Sequence, residues 1–320
     1  MTLQKSVANS SSVTLRYALL LALLPAVLGA CSHDAGSHSP GVATGAGDGI
    51  VGGQTVNLKD TRFAAAVLRL VAVERIEIGG VLNTRKSNCT GTLIAPNIVV
   101  TAGHCIDDLR DKKLYPMLIN PRTGKAHSKG FPVMVVGRSI NHDSLSVIDI
   151  AVPPGFRSKN GLSSPDIALL KLNRPLKLAS RAMRPKVDTI GLAKTGRHLL
   201  AMGFGLTSLD PNASEQERRP PAELQKKTFT VIPASKVKWR ESRKSPDLIY
   251  LATERGQTKG NLCQGDSGGP VFRKHREKIY LVGVNARSDR SCEGVGAATS
   301  VAAHSRWIRH QAAKWQGELY

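Results

Sequence analysis

Acidic residues are scarce: 24 Asp and Glu stand against 45 Lys and Arg, leaving a formal net charge of +21 over 320 residues. The deficit is also localised. Lys5 and Arg16 balance Asp34 and Asp48 within residues 1–49, so residues 50–320 carry the whole excess. Such a surface is expected to attract anionic polymers or membranes non-specifically at low salt, and it specifies no particular nucleic acid. The chain also lacks a sequence repeat at solenoid period, which excludes a stacked-repeat architecture. Its most apolar run, "YALLLALLPAVLG", is too short to cross a bilayer comfortably.

A composition of 41% hydrophobic residues with 30 Gly and 17 Pro describes a globular, loop-rich chain and excludes disorder throughout. The first thirty residues form a targeting segment: Lys5 and Arg16 flank a polar start, the apolar run follows, and "LGAC" closes it. Export is therefore expected, with residues 1–30 as signal peptide. Leu28-Gly29-Ala30-Cys31 resembles the bacterial lipobox, in which the cysteine thiol is acylated; the alternative is plain cleavage after Ala30 with a free thiol. Ser32 in place of Asp favours sorting to the outer membrane, with periplasmic or extracellular release as the other outcome. Residues 32–49, "SHDAGSHSPGVATGAGDG", show no apolar period and read as a flexible tether or propeptide behind Cys31.

From residue 50 the pattern changes. Short apolar runs such as "AAVLRLVAV", "DIALLKL" and "KIYLVGVNA" alternate with Gly, Pro, Asn and Asp, which are strand lengths with turn punctuation. An all-β sandwich or barrel class follows. The exception is the C-terminal stretch, where Ala302, Ile308, Ala312 and Trp315 recur at near-helical spacing and predict a helix over 302–316 that packs on the body. Trp307 and Trp315 read as core residues.

Chemistry concentrates in three places. "GNLCQGDSGGP" sets Ser267 between Asp266 and a glycine pair, a sequence that can turn sharply and aim successive N–H groups inward. "VVTAGHC" puts His104 directly after an apolar strand, and "SSPDIALLKL" puts Asp166 at the mouth of another. A lone His or a strand-end Asp is usually structural. All three together, in the order His, Asp, Ser, are not a chance set.

With "IVGG", "TAGHC", "DIALL" and "GDSGGP", the chain resembles the chymotrypsin-fold (trypsin-like) serine proteases from Ile50 to about Gln316. The resemblance implies two six-stranded antiparallel β-barrels, about 50–178 and 188–301, with the active site between them and a C-terminal α-helix. It implies a serine endopeptidase acting on proteins or peptides, in which Ser267 attacks, His104 moves the proton and Asp166 orients the imidazole. The N–H groups of Gly265 and Ser267 would form the oxyanion hole. It also implies disulfides Cys89–Cys105 and Cys263–Cys292, leaving Cys31 for the lipid, and an oxidising compartment. No cofactor is required and no metal is expected; His142 and Asp143 read as surface loop residues.

Where the chain departs from that family, expectations change. Asn261 stands at the base of the primary specificity pocket in place of the Asp that selects Lys and Arg, and Leu262 should narrow it. Ala286, Arg287 and Ser288 replace the usual pocket wall, and Gly296 should leave the far side open. Ala286 removes a hydroxyl that in relatives bonds the catalytic Asp. Cleavage before Ile50 would free an α-ammonium to pair with Asp266. The competing class is a catalytically weak homologue that binds partners through its basic surface. Oligomeric state is not specified.

Overall fold

The computed structural model describes residues 50–320 except 60, 79–80, 107–117, 120–125, 128–130, 137–144, 157–164, 177, 179, 181–182, 210–211, 213–220, 222, 240–243, 255 and 257–258, with backbone alone in the strands between 72 and 87 and between 118 and 146. The leader, Cys31, the tether, His142 and Asp143 lie outside the described residues.

Strands appear in the order β1 (Gln54–Thr55), β2 (Val67–Ile78), β3 (Val81–Ala95), β4 (Ile98–Thr101), β5 (Leu118–Ile119), β6 (Ala126–His127), β7 (Phe131–Val136), β8 (Leu145–Ala151) and β9 (Ala168–Leu172). Then come β10 (Lys186–Val187), β11 (His198–Gly203), β12 (Gln225–Ile232), β13 (Leu248–Thr253), β14 (Pro270–His275), β15 (Lys278–Arg287) and β16 (Val295–Ser300), followed by helix α1 (Val301–Lys314). Strands β2-β3-β4-β9-β8-β7 close into an antiparallel barrel. In the second half the order β12-β11-β14-β15-β16-β13 returns on itself through β12–β13 pairing, with β1 and β10 attached outside the ring. The expected pair of six-stranded barrels is therefore present, and closure removes the sheet edges that would otherwise be left unpaired.

Period-two patterning is visible in β12, where QKKTFTVI alternates buried and half-buried positions along its whole length. In β4 and β9 it disappears, because both faces are covered: β4 is buried at every position. Leu93, Val99, Ala168, Leu170 and Leu172 fill the first barrel with Leu68 and Leu70. Their neighbours Ile94, Ile98, Val100, Ile167 and Leu169 turn outward onto Met202, Phe204, Phe272, Leu281 and Val284 of the second barrel. The continuous apolar runs in the sequence are thus strands with one face in a barrel and the other in the inter-barrel seam. An edge-to-face contact between Phe63 and Phe272, centroids 5.1 Å apart, belongs to the same seam.

Helix α1 starts at 301 and not 302. Ser300 caps it, its hydroxyl accepting the N–H of Ala303 at 3.4 Å. Its buried stripe is Val301, Ser305, Ile308 and Ala312, continued by Trp315. Ala302 lies to one side of that stripe and is only partly buried. Trp315 sits in the seam core and its indole N–H donates to Asp149 Oδ2 at 2.9 Å, joining the helix end to β8 of the first barrel. Tyr320 N–H donates to the Ile94 carbonyl at 3.0 Å, so the C-terminal tail lies along the first barrel as well.

Candidate active site

His104 occupies a 3-10 turn, Gly103–Ile106, at the end of β4. Two contacts fix it to Asp166, two residues before the start of β9. The His104 backbone N–H donates to Asp166 Oδ1 and the ring Nδ1 meets Asp166 Oδ2, both at 2.8 Å. The Asp166 side chain is 3% exposed and that of His104 28%, so the carboxylate is shielded while the imidazole keeps an open edge. An ionised carboxylate only accepts, so Nδ1 carries the proton and the lone pair of neutral His104 is on Nε2. Gly103 leaves room for Phe156, whose ring occupies the space a side chain there would take.

The Ser267 loop of the second barrel meets the first barrel beside Cys105, the neighbour of His104. The Ser267 carbonyl accepts the Thr90 N–H at 2.7 Å, and the Cys105 sulfur lies 3.6 Å from the same oxygen. Cys105 is bonded to Cys89, so the disulfide beside His104 abuts the Ser267 loop. Cys263 and Cys292 form the second bond, as expected. Both require an oxidising compartment outside the cytosol. Gly268, with φ of 80°, packs so tightly on Thr101 and Thr90 that a Cβ would overlap both.

Asp266 is fully buried and its two carboxylate oxygens accept N–H groups from Gly205 and Cys263, both at 2.8 Å. Burial pushes its pKa up to about 7, against the opposing pull of the two backbone donors. Gly203 and Gly205 cradle this carboxylate, which fills the space of any side chain they could carry. Ile50 is also fully buried and packs with Leu192, Leu199, Ala201 and Phe229 in the second barrel. Beside it the Lys227 ammonium donates to the Val51 carbonyl at 3.0 Å; burial holds that amine down at about 8.

A cavity of about 120 Å³ opens at Ser267, lined by Leu262, Cys263, Gln264, Asn285, Ala286, Arg287 and Ser288. Asn261 and Gly296 are not among its lining residues. Asn261 is fully buried, its amide N–H groups donating to the Leu251 and Gly294 carbonyls and its oxygen accepting from Leu262 N–H. The Asn261 oxygen fills the space over Gly296, so the glycine makes room for the amide. The polar group at this position is thus spent on the pocket frame. Apolar Leu262 and the Ala286 and Arg287 wall face the cavity. Thr299, which sequence reasoning passed over, donates its hydroxyl to the Asp166 backbone carbonyl at 2.9 Å.

Comparison with known proteins agrees with this geometry. The trypsin family model matches residues 75–308. CLIP domain-containing serine protease B4 of Anopheles gambiae is 25% identical over 290 residues, 85% of this chain and 72% of the relative. Serine proteinase stubble of Drosophila melanogaster is 28% identical over 247 residues, which is 74% of this chain and 28% of stubble. Kallikrein 1-related peptidase b8 of Mus musculus is 27% identical over 195 residues, 60% of this chain and 68% of the relative. With a buried acid bonded to a histidine, a glycine-flanked serine turn seated on the neighbouring disulfide and two closed barrels, the family match leads to one conclusion: the chain belongs to the trypsin family and is a serine endopeptidase.

Proposed function

We propose that the protein is an exported, lipid-anchored endopeptidase that cleaves peptide bonds through Ser267, His104 and Asp166 and matures by a cut before Ile50. The observation that carries the reading is the Asp166–His104 pair, whose two 2.8 Å contacts hold His104 through its backbone N–H and Nδ1 and direct Nε2 away from the carboxylate. Ser267 attacks the substrate carbonyl while His104 Nε2 takes the hydroxyl proton. The imidazolium then protonates the leaving amine, and water repeats the cycle on the acyl-enzyme. Donors from Gly265 and Ser267 N–H would stabilise the tetrahedral oxyanion.

Maturation before Ile50 is supported by two fully buried ends, Ile50 and Asp266. The carboxylate is held at about 7 by burial. A new α-ammonium would supply the cation that its site otherwise lacks among its two backbone donors. Anchoring rests on "LGAC" and Cys31. A cut at Gly49 would then activate the enzyme and free it from the membrane together.

Fluorophosphonate labelling tests the triad. Label on the disulfide-bonded protein, absent in Ser267→Ala and strongly reduced in His104→Ala, is the expected result. A fully labelled membrane fraction whose N-terminus is Cys31 would overturn the coupling of activation to release.

A further inference from the structure

A single hydroxyl, that of Thr90, joins the first barrel to the loop that would hold the oxyanion. Thr90 lies on β3 next to Cys89 and is fully buried. Its Oγ1 donates to the Gly265 carbonyl at 2.8 Å and accepts the Phe204 N–H at 3.2 Å. Its backbone N–H donates to the Ser267 carbonyl at 2.7 Å. Its own carbonyl accepts the Thr101 hydroxyl at 2.9 Å.

These bonds bracket the nucleophile turn. Gly265 has φ of 97°, a conformation held open to glycine alone, and the direction of its N–H depends on how its flanking peptides are pinned. The Gln264 carbonyl, in the same peptide as that N–H, accepts the Leu206 N–H at 2.7 Å; the Gly265 carbonyl, on the other side of its Cα, is pinned by Thr90 Oγ1, and the Ser267 carbonyl two residues on is pinned by Thr90 N–H. Phe204, between the two glycines that cradle Asp266, is tied to the same oxygen. Cys89, next in the chain, is bonded to Cys105, the neighbour of His104. One dipeptide of the first barrel is therefore connected to the general base on one side and to the oxyanion loop on the other.

We infer that Thr90 is a positioning residue for the oxyanion hole, setting the Gly265 peptide from the first barrel through its side-chain hydroxyl. This rests on the triad reading above. The bond has no counterpart through an aliphatic side chain: valine has the same shape and neither donates nor accepts, which would leave a buried carbonyl and a buried N–H without their partner. The cost falls on geometry required in the transition state, because the ground-state substrate makes little use of the hole.

The test compares Thr90→Val and Thr90→Ser in the disulfide-bonded protein as exported. Thr90→Val is expected to lower kcat about tenfold to a hundredfold at nearly constant KM. It should weaken a peptide aldehyde inhibitor, whose adduct places an oxyanion in the hole, by a similar factor. Thr90→Ser should restore both to within about threefold of the unaltered enzyme. A Val variant with unchanged kcat and aldehyde affinity, or one altered only in KM, overturns the inference. So does a Ser variant as impaired as Val. If Val does not fold, Thr90→Ala removes the hydroxyl in a smaller volume and should show the same loss of kcat and aldehyde affinity; full activity in Ala overturns the role. Fluorophosphonate labelling of the unaltered protein runs in parallel. Its failure defeats the triad reading and this inference together, whereas label with normal aldehyde binding in Val defeats this inference alone.

Discussion

Gly268 packs against Thr101 with no space for a side chain between them: a Cβ on the glycine would overlap the Thr101 hydroxyl and the Thr90 carbonyl behind it. The Ser267–Gly268 turn of one barrel is thereby seated directly on the backbone of the other. Gly268→Ala must meet that overlap and also adopt φ of 80°. A loss of about 3 kcal/mol in stability is expected from strain and overpacking together. Catalytic loss should exceed what the fraction unfolded explains, because the turn carries Ser267. Chemical denaturation with active-site titration on the same sample checks both, and normal specific activity per labelled site would count against the second.

Stability should depend on pH through Asp266. Its pKa of about 7 lies above the ordinary aspartate value of 3.8, so between those values the folded state binds a proton that the unfolded state releases. The uncut chain is therefore most stable near the acid end of the window and loses stability as pH rises toward 7, by up to about 4 kcal/mol from this group. An α-ammonium at Ile50 would favour the ionised form and flatten that slope. Urea unfolding of Ser267→Ala protein, uncut and cut before Ile50, should show the slope only in the uncut form. Equal slopes would argue against Ile50 and Asp266 pairing.

Selectivity at the cleaved position should exclude cations. Arg287, 8% exposed, sits in the wall of the cavity at Ser267, and Leu262 takes part of its volume. Asn261 contributes no acid and its amide is engaged by the frame. Small or medium uncharged residues should be preferred over Lys and Arg, with the broad discrimination of about tenfold to two hundredfold typical of apolar pockets. Arg287→Ala should raise cleavage after Lys and Arg relative to the parent. A peptide-library profile dominated by Arg or Lys would refute the assignment.

The Cys263–Cys292 bond closes a loop of sequence separation 29 around the pocket frame. Replacing both cysteines with serine should cost about 3 kcal/mol. It should also raise KM more than the Cys89–Cys105 replacement does, since Cys263 lines the cavity and Cys89 does not. Thermal unfolding and steady-state kinetics on the two double variants separate these effects. The reverse order in KM would show that the pocket frame keeps its shape without the bond.

Local chemistry made the strands and the C-terminal helix legible in the sequence, whereas the pair of closed barrels followed from the family resemblance. Strand-length apolar runs with turn residues between them, and a 3.6-residue period near the C-terminus, are properties of neighbouring residues and survive in a linear reading. So do "TAGHC" and "GDSGGP", since glycines and a nucleophile must be adjacent to make a sharp turn. Asn261 shows where that reading stops. The family resemblance placed it at the pocket base, yet its amide is consumed by Leu251, Leu262 and Gly294, partners that the fold brings together. Thr90 shows the same limit from the other side. Nothing in its neighbours marks it, and its importance comes from Gly265, 175 residues away. By itself the sequence determined which residues can form strands, which can turn and which can act as acid, base or nucleophile. Only the tertiary structure decided which buried polar atoms meet, because burial favours pairing donors with acceptors and those partners are brought together by strands distant in the chain.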